Sequence, residues 1–198
     1  METTATPAGL NLQKNERGLV LDKDGGQLKK IHMGAGWDVN APNAKTYDLD
    51  LFAICLGEGS KLVGGPSHNN IAYFGNKTLP GIQCGADNLT GQGDGDDESR
   101  QIDLDAVPAN VHAIVIGINI YQAAAKNQNM GAVNNAFVRY APQDNRPATV
   151  KKYDLTEDYS TFTGIVAFKF YRHEDGWKFQ AVGQGVNGDI NQIASTFA

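Results

Sequence analysis

Tyr47-Asp48-Leu49-Asp50-Leu51-Phe52-Ala53-Ile54-Cys55-Leu56 is the stretch on which the fold turns. In an extended chain successive side chains point to opposite faces, so Asp48, Asp50, Phe52, Ile54 and Leu56 share one face and Leu49, Leu51, Ala53 and Cys55 the other. Both faces turn apolar after the first residues, which predicts a central strand covered on both sides. Two carboxylates then stand in line with core residues at its start, where an unpaired charge is costly. Either the strand start projects into solvent, or the two acids face a cation at the open end of the structure.

Outward from this strand, 23 Gly and 7 Pro divide the chain into short apolar runs. Gly18–Asp22, Leu28–Met33, Ile71–Phe74, Gln101–Val107, Val111–Tyr121, Ala136–Ala141, Thr149–Leu155, Gly164–Tyr171 and Trp177–Val182 read as further strands. They are rich in β-branched and aromatic residues and bounded by turn formers. Asp24-Gly25-Gly26 and Glu174-Asp175-Gly176 are hairpin signals. Helix is suggested only at Gln122–Asn129 and Gly188–Phe197, the second opened by Asp189. Many strands without βαβ alternation predict an all-β fold, an antiparallel two-sheet β-sandwich with one or two short helices. Residues 1–8 read as a flexible tail and 9–198 as one domain.

A chain of 198 residues with 41% hydrophobic content can bury one sizeable core. The longest apolar stretch, Val111–Tyr121, is about half of what a bilayer crossing needs. Met1 to Leu10 lacks the basic and apolar regions of a secretory leader. Cys55 and Cys84 make no disulfide framework, and are expected to be reduced thiols in a cytoplasmic protein.

The net charge of −5 is not spread evenly. Asp87 to Asp105 holds six Asp, one Glu and one Arg, a local charge of −6, so everything else is nearly neutral. That repels phosphate backbones and argues against nucleic acid as a partner. Within it, Gly85-Ala86-Asp87-Asn88-Leu89-Thr90-Gly91-Gln92-Gly93-Asp94-Gly95-Asp96-Asp97-Glu98 alternates small residues with oxygen donors. Calcium takes six to eight such oxygens in loose geometry, and glycines let carbonyls and carboxylates converge on one point.

Other chemistries fare worse. An EF-hand frame begun at Asp94 has Ser99 where glycine is required, and it runs into a strand rather than a helix. His32, His68, His112 and His173 lie at no zinc spacing to either cysteine. The sequence has no nucleophile elbow and no phosphate-binding loop. Gly183-Gln184-Gly185-Val186-Asn187-Gly188 matches a dinucleotide fingerprint but has no room for the strand that must follow, and reads as a turn. No catalytic residues are assigned, and the chain is not expected to be an enzyme. Thiolates beside a dense acidic patch are poor nucleophiles, which also argues against thiol chemistry.

Asp87-Asn88-Leu89-Thr90-Gly91 followed by Gly95-Asp96-Asp97-Glu98 resembles the signature of the TerD family of tellurium-resistance and stress-response proteins. Further blocks agree in order: Gly36-Trp37-Asp38, Asp48-Leu49-Asp50, Gln128 to Arg139, Tyr153 to Asp158, Tyr171-Arg172-His173 and Trp177 to Gly185. The resemblance spans about residue 9 to the C-terminus; Met130 and Leu51-Phe52 depart from the pattern, and Gly64–Pro80 matches poorly. It implies a β-sandwich that binds calcium, one or two ions, at one end. The implied metal ligands are Asp38, Asp48, Asp50, Asp87, Asn88, Gly91 through its carbonyl, Asp96, Asp97 and Glu98. It also implies a cytoplasmic, non-catalytic signalling or scaffolding role in stress-response assemblies, with other stress-response proteins or the inner membrane surface as partners.

Two alternatives remain beside that reading. A calcium-bridged dock to anionic lipid or phosphate would want basic or apolar residues in the loop, and Gly91–Glu98 has none. A hydrolase built on paired carboxylates would need a raised carboxyl and a groove beside Asp48 or Asp50.

Overall fold

The computed structural model describes residues 10–21, 25–38, 47–64, 68–85, 88–91, 95–143, 150–155 and 159–198. The strands are β1 Leu10–Asn11, β2 Arg17–Leu19, β3 Lys30–Asp38, β4 Leu49–Leu56, β5 Ile71–Ala72, β6 Thr78–Leu79 and β7 Ile82–Cys84. They continue with β8 Glu98–Asp103, β9 Ala113–Ile120, β10 Asn134–Pro142, β11 Lys151–Asp154, β12 Gly164–His173 and β13 Gly176–Val186. Among the described residues there are also two α-helices, α1 Ala123–Lys126 and α2 Ile190–Ser195, and three single-turn 3-10 helices at Glu58–Ser60, His68–Asn70 and Met130–Ala132.

These strands form a seven-stranded sheet in the order β1-β11-β10-β3-β8-β7-β6 and a six-stranded sheet in the order β2-β13-β12-β9-β4-β5. Every pairing is antiparallel except β1 with β11. The architecture is therefore the two-sheet sandwich that the strand pattern predicts.

The central strand is buried along its whole length, and two different neighbours cover it. Leu49, Leu51, Ala53 and Cys55 enter the core between the sheets with Ile31, Met33, Ala35 and Trp37 of β3 and Phe168 and Phe170 of β12. Phe52, Ile54 and Leu56 face outward and are covered by Ile190, Ile193 and Ala194 of α2. Six residues of helix would not persist alone in water. It is held by this apolar seat and by a capping box, in which Asp189 accepts from the Asn191 and Gln192 amides and Gln192 accepts from the Asp189 amide.

Several boundaries differ from the sequence reading. The strand expected at Gln101–Val107 instead occupies Glu98–Asp103 and starts inside the acidic segment. Glu98, Arg100 and Ile102 alternate inward there, so an opposite-charge pair lets a polar stretch enter the core. The run Gly183–Gly188, expected as a turn, carries β13 on to Val186, paired with Gly164 of β12. The strands β1, β6 and β7 are too short to have left a sequence pattern. Helix at Gln122–Asn129 shrinks to one turn, Ala123–Lys126.

Glu174 and Asp175 close the predicted hairpin between β12 and β13, whereas Asp24 of the other hairpin lies outside the described residues, as does the tail 1–8. Among the described residues no helix is long and apolar enough to cross a membrane.

Candidate cation site at one end of the sandwich

Strand register gathers the candidate ligands at one end. Asp38 ends β3 opposite Asn134 at the start of β10, and Asp50, the second residue of β4, stands opposite Asn119 near the end of β9. The indole N–H of Trp37 donates to the Tyr47 carbonyl at 3.2 Å, tying the chain just before Asp48 to the strand that carries Asp38. Glu98 starts β8 opposite Ala35.

Asp97 lies at the centre of this end. Its amide donates to the Ala35 carbonyl at 2.8 Å, and its carboxylate accepts from the Trp37 amide at 3.0 Å and from the Asn88 side-chain amide at 2.7 Å. The residue is 6% exposed. Burial raises its carboxyl above the ordinary carboxylate value; the Trp37 and Asn88 hydrogen bonds lower it, and the charges of Asp96 and Asp38 raise it again. Asn88 in turn accepts from the amide and hydroxyl of Thr90, an Asx turn that fixes the loop. Gly91 follows with φ +64°, and any β-carbon there would strike the Trp37 indole, so only glycine brings this backbone against the ring. Asp38 accepts from the Asn135 side-chain amide.

Asp96 is engaged elsewhere. It lies over Gly34 on the outer face of the seven-stranded sheet, where Arg139 Nε and Nη2 each donate at 2.7 Å and His32 Nε2 lies at 2.7 Å. Burial alone would raise its carboxyl, but the hydrogen bonds and charges of His32 and Arg139 outweigh that and hold it below the usual range. Glu98 points the other way, between the sheets, and takes a 3.1 Å hydrogen bond from Arg100, whose guanidinium also donates to the Leu51 carbonyl. At 2% exposure Arg100 is a buried cation, and Glu98 is its counter-charge.

Asp48 immediately precedes β4 and Asp50 is its second residue, at the same end, with Asp50 only 5% exposed; neither is free of polar partners. Asp87 lies outside the described residues. Among the described residues no group of three His, Cys, Asp or Glu side chains stands together as a metal cage.

The candidate ligands at this end, Asp97 with Asn88 hydrogen-bonded to it, Gly91 against Trp37 and Asp38 at the end of β3, are hard oxygen or amide groups without a thiolate or imidazole. In type they fit calcium or magnesium rather than zinc or copper. Asp96 and Glu98 fit less well, because each already neutralises an arginine.

Sequence reasoning missed Arg139, His32, Arg100 and Asn135 as partners of this end. Arg100 could have been found from parity, since Glu98 and Arg100 fall on one face of an extended chain. The other three lie 43 or more residues from the acids they contact, and only register brings them in. For Cys55, the thiol is pushed up to about 12, and the cause is burial in the core.

The TerD domain family model matches residues 9–197. The chain is 38% identical over 179 residues to tellurium resistance protein TerD of Serratia marcescens, covering 89% of this chain and 91% of that protein. It is 37% identical over 194 residues to general stress protein 16U of Bacillus subtilis (strain 168), covering 95% and 96%. A crystal structure of a homologue of the telluride resistance protein TerD from Streptomyces coelicolor A3(2) superposes with a TM-score of 0.64 at 22% identity, covering 84% of this chain and 95% of the other, which supports the fold. The chain belongs to the TerD domain family of tellurium resistance and general stress proteins.

Proposed function

We propose that this chain is a calcium-binding stress-response module that signals or scaffolds without catalysing a reaction. The observation that carries the reading is Asp97 itself, a 6% exposed carboxylate at the end of the sandwich held by the Trp37 amide and the Asn88 side-chain amide. Burial raises its carboxyl and the charges of Asp96 and Asp38 raise it further, a repulsion that a divalent cation would relieve. The ligand set we assign is Asp38, Asp97, Asn88 and the Gly91 carbonyl, with Asp48 and Asp50 from the start of β4 and Asp87 from the loop. Bound calcium would supply positive charge that draws loop and strand ends together. We further assign the protein to the cytoplasm, where stress-response proteins or the inner membrane surface would read the calcium-bound end.

The test is a thermal melt with calcium, with magnesium and with chelator. A native-only ligand at 100 times its dissociation constant adds about 2.7 kcal/mol, or roughly 5–11 °C in midpoint for a domain of this size. Calcium should give that shift and magnesium much less, because magnesium demands tighter octahedral geometry. No shift with calcium would overturn the proposal.

One observation favours a second reading. Leu89, next to Asn88, is 59% exposed, so the loop offers an apolar tip just outside Gly91–Glu98. Calcium-dependent co-sedimentation with anionic vesicles, lost in Leu89→Asp, would support lipid docking; co-sedimentation that ignores calcium would exclude it.

A further inference from the structure

At the other end of the six-stranded sheet a cleft of about 370 Å³ opens beside the turn that follows β4. Arg17, His112, Lys169 and Arg172 line it, together with Ser60, Tyr171 and Gln180. From Asp50 to Leu56 along β4, at about 3.3 Å per residue, this pole lies roughly 20 Å from the acidic end.

Register builds the cleft from three adjacent strands. Gln180 of β13 pairs with Arg17 of β2 on one side and with Lys169 of β12 on the other, so two cations flank one amide. His112 and Arg172 close the end through the hydrogen bond from the Arg172 amide to the His112 carbonyl at 2.9 Å.

Lys29, Arg100, Arg139, Lys152 and Lys178 each have a carboxylate partner. Among the described residues Arg17, Lys169 and Arg172 have none, as is also true of Lys30, Lys61 and Lys151. Lys169 donates to the Ser60 hydroxyl at 3.0 Å. The Arg172 guanidinium is turned to the other face of β12, where it donates to the Val111 and Val107 carbonyls and lies 4.6 Å over the ring of Trp177, a residue of the core between the sheets. The Ser60 hydroxyl is neutral, so the Lys169 charge is positioned without a counter-charge, and Arg17 stands beside it across Gln180. Glu58 stands in the same turn as Ser60 but is exposed and does not line the cleft.

We propose that this cleft binds the phosphate group of a small phosphorylated molecule or free phosphate. Convergent cations in a concave site concentrate anions, and guanidinium and ammonium groups make charge-assisted hydrogen bonds to phosphate oxygens. Tyr171 and Gln180 supply a ring face and an amide for whatever the phosphate is attached to. The volume is at the small end of the range for ligand pockets, which suits a mononucleotide-sized compound.

The test uses the isotope-labelled full chain in calcium-free buffer, titrated with inorganic phosphate, with adenosine monophosphate and with adenosine while backbone amides are followed by NMR. Amides of Arg17, Lys169, Tyr171 and Gln180 should shift saturably with the two phosphates and not with adenosine, and the affinity should fall as salt is raised. Arg17→Ala and Lys169→Ala should each weaken binding by about tenfold, the loss of one charge-assisted contact, while the melting midpoint stays unchanged. Equal binding of both phosphates identifies free phosphate as the ligand, and tighter binding of the nucleotide identifies a phosphate ester. Shifts confined to other surfaces, shifts produced equally by adenosine, or unchanged affinity in both variants would overturn the site. Failure here leaves the calcium reading untouched, because the two sites lie at opposite poles and the titration contains no calcium.

Discussion

Asp96 and Arg139 form a two-point ion pair on the outer face of the seven-stranded sheet, with Nε to Oδ1 and Nη2 to Oδ2 both at 2.7 Å. The pair lies over Gly34, where any β-carbon would run into the Asp96 carboxyl. The acidic loop is thereby fastened to β3 and β10 before any ion is considered.

Arg139→Ala should be strongly destabilising. The side chains are 7% and 10% exposed, and removing one partner of a buried pair costs about 3–5 kcal/mol. His32 still contacts Asp96, so the lower end of that range is expected. Urea unfolding of Arg139→Ala, Asp96→Asn and the double variant checks this, and the cycle should return a coupling above about 1 kcal/mol.

The same pair sets a pH dependence. The folded carboxyl of Asp96 sits below its ordinary value of 3.8, so its contribution is full above that value and is lost as pH falls through the lower, folded one. Asp97 has the opposite sign: its folded carboxyl is raised, so its protonation as pH falls favours the folded state. Asp96→Asn should therefore flatten the loss of stability below about pH 4, measured as urea midpoints with chelator present.

Asp97→Asn and Asp38→Asn should each remove most of the calcium-induced rise in melting midpoint. Asp175→Asn, an acid in the β12–β13 hairpin, should leave that rise intact. Melts of the three variants with calcium and with chelator measure the difference.

Asp189→Ala should cost about 1 kcal/mol, the usual loss for a helix N-cap. Its effect should reach β4, because the helix it caps covers Phe52, Ile54 and Leu56. Hydrogen exchange is the direct readout: amides of Phe52–Leu56 should lose protection, while those of β3 should not.

The two thiols should differ in reactivity. Cys55 is buried, with its thiol pushed up to about 12, whereas Cys84 is partly exposed. One equivalent of a thiol reagent should label the native protein, at Cys84, and a second should react only after unfolding.

The strand pattern, the doubly covered centre at Leu49–Leu56 and the concentration of charge in one segment were all legible from residue order. Those are local properties, since alternation, turn residues and charge counts act over a few neighbours in the chain. Even the short helix after Asp189 was legible, because an acid at a helix start is a local signal.

Which acids are tied up by arginines became visible only once the sheets were paired. Asp96, Asp97 and Glu98 are consecutive and look equivalent in sequence, yet one pairs with Arg139 outside the sheet, one meets Trp37 and Asn88 at the strand ends, and one enters the core with Arg100. The start of β8 at Glu98 sends alternate side chains to opposite faces, and strands 40 or more residues distant supply most of the partners. Sheet register is a long-range property, and for that reason the partition of these three carboxylates, like the gathering of Arg17 and Lys169 around Gln180, was invisible until the sheets were assembled.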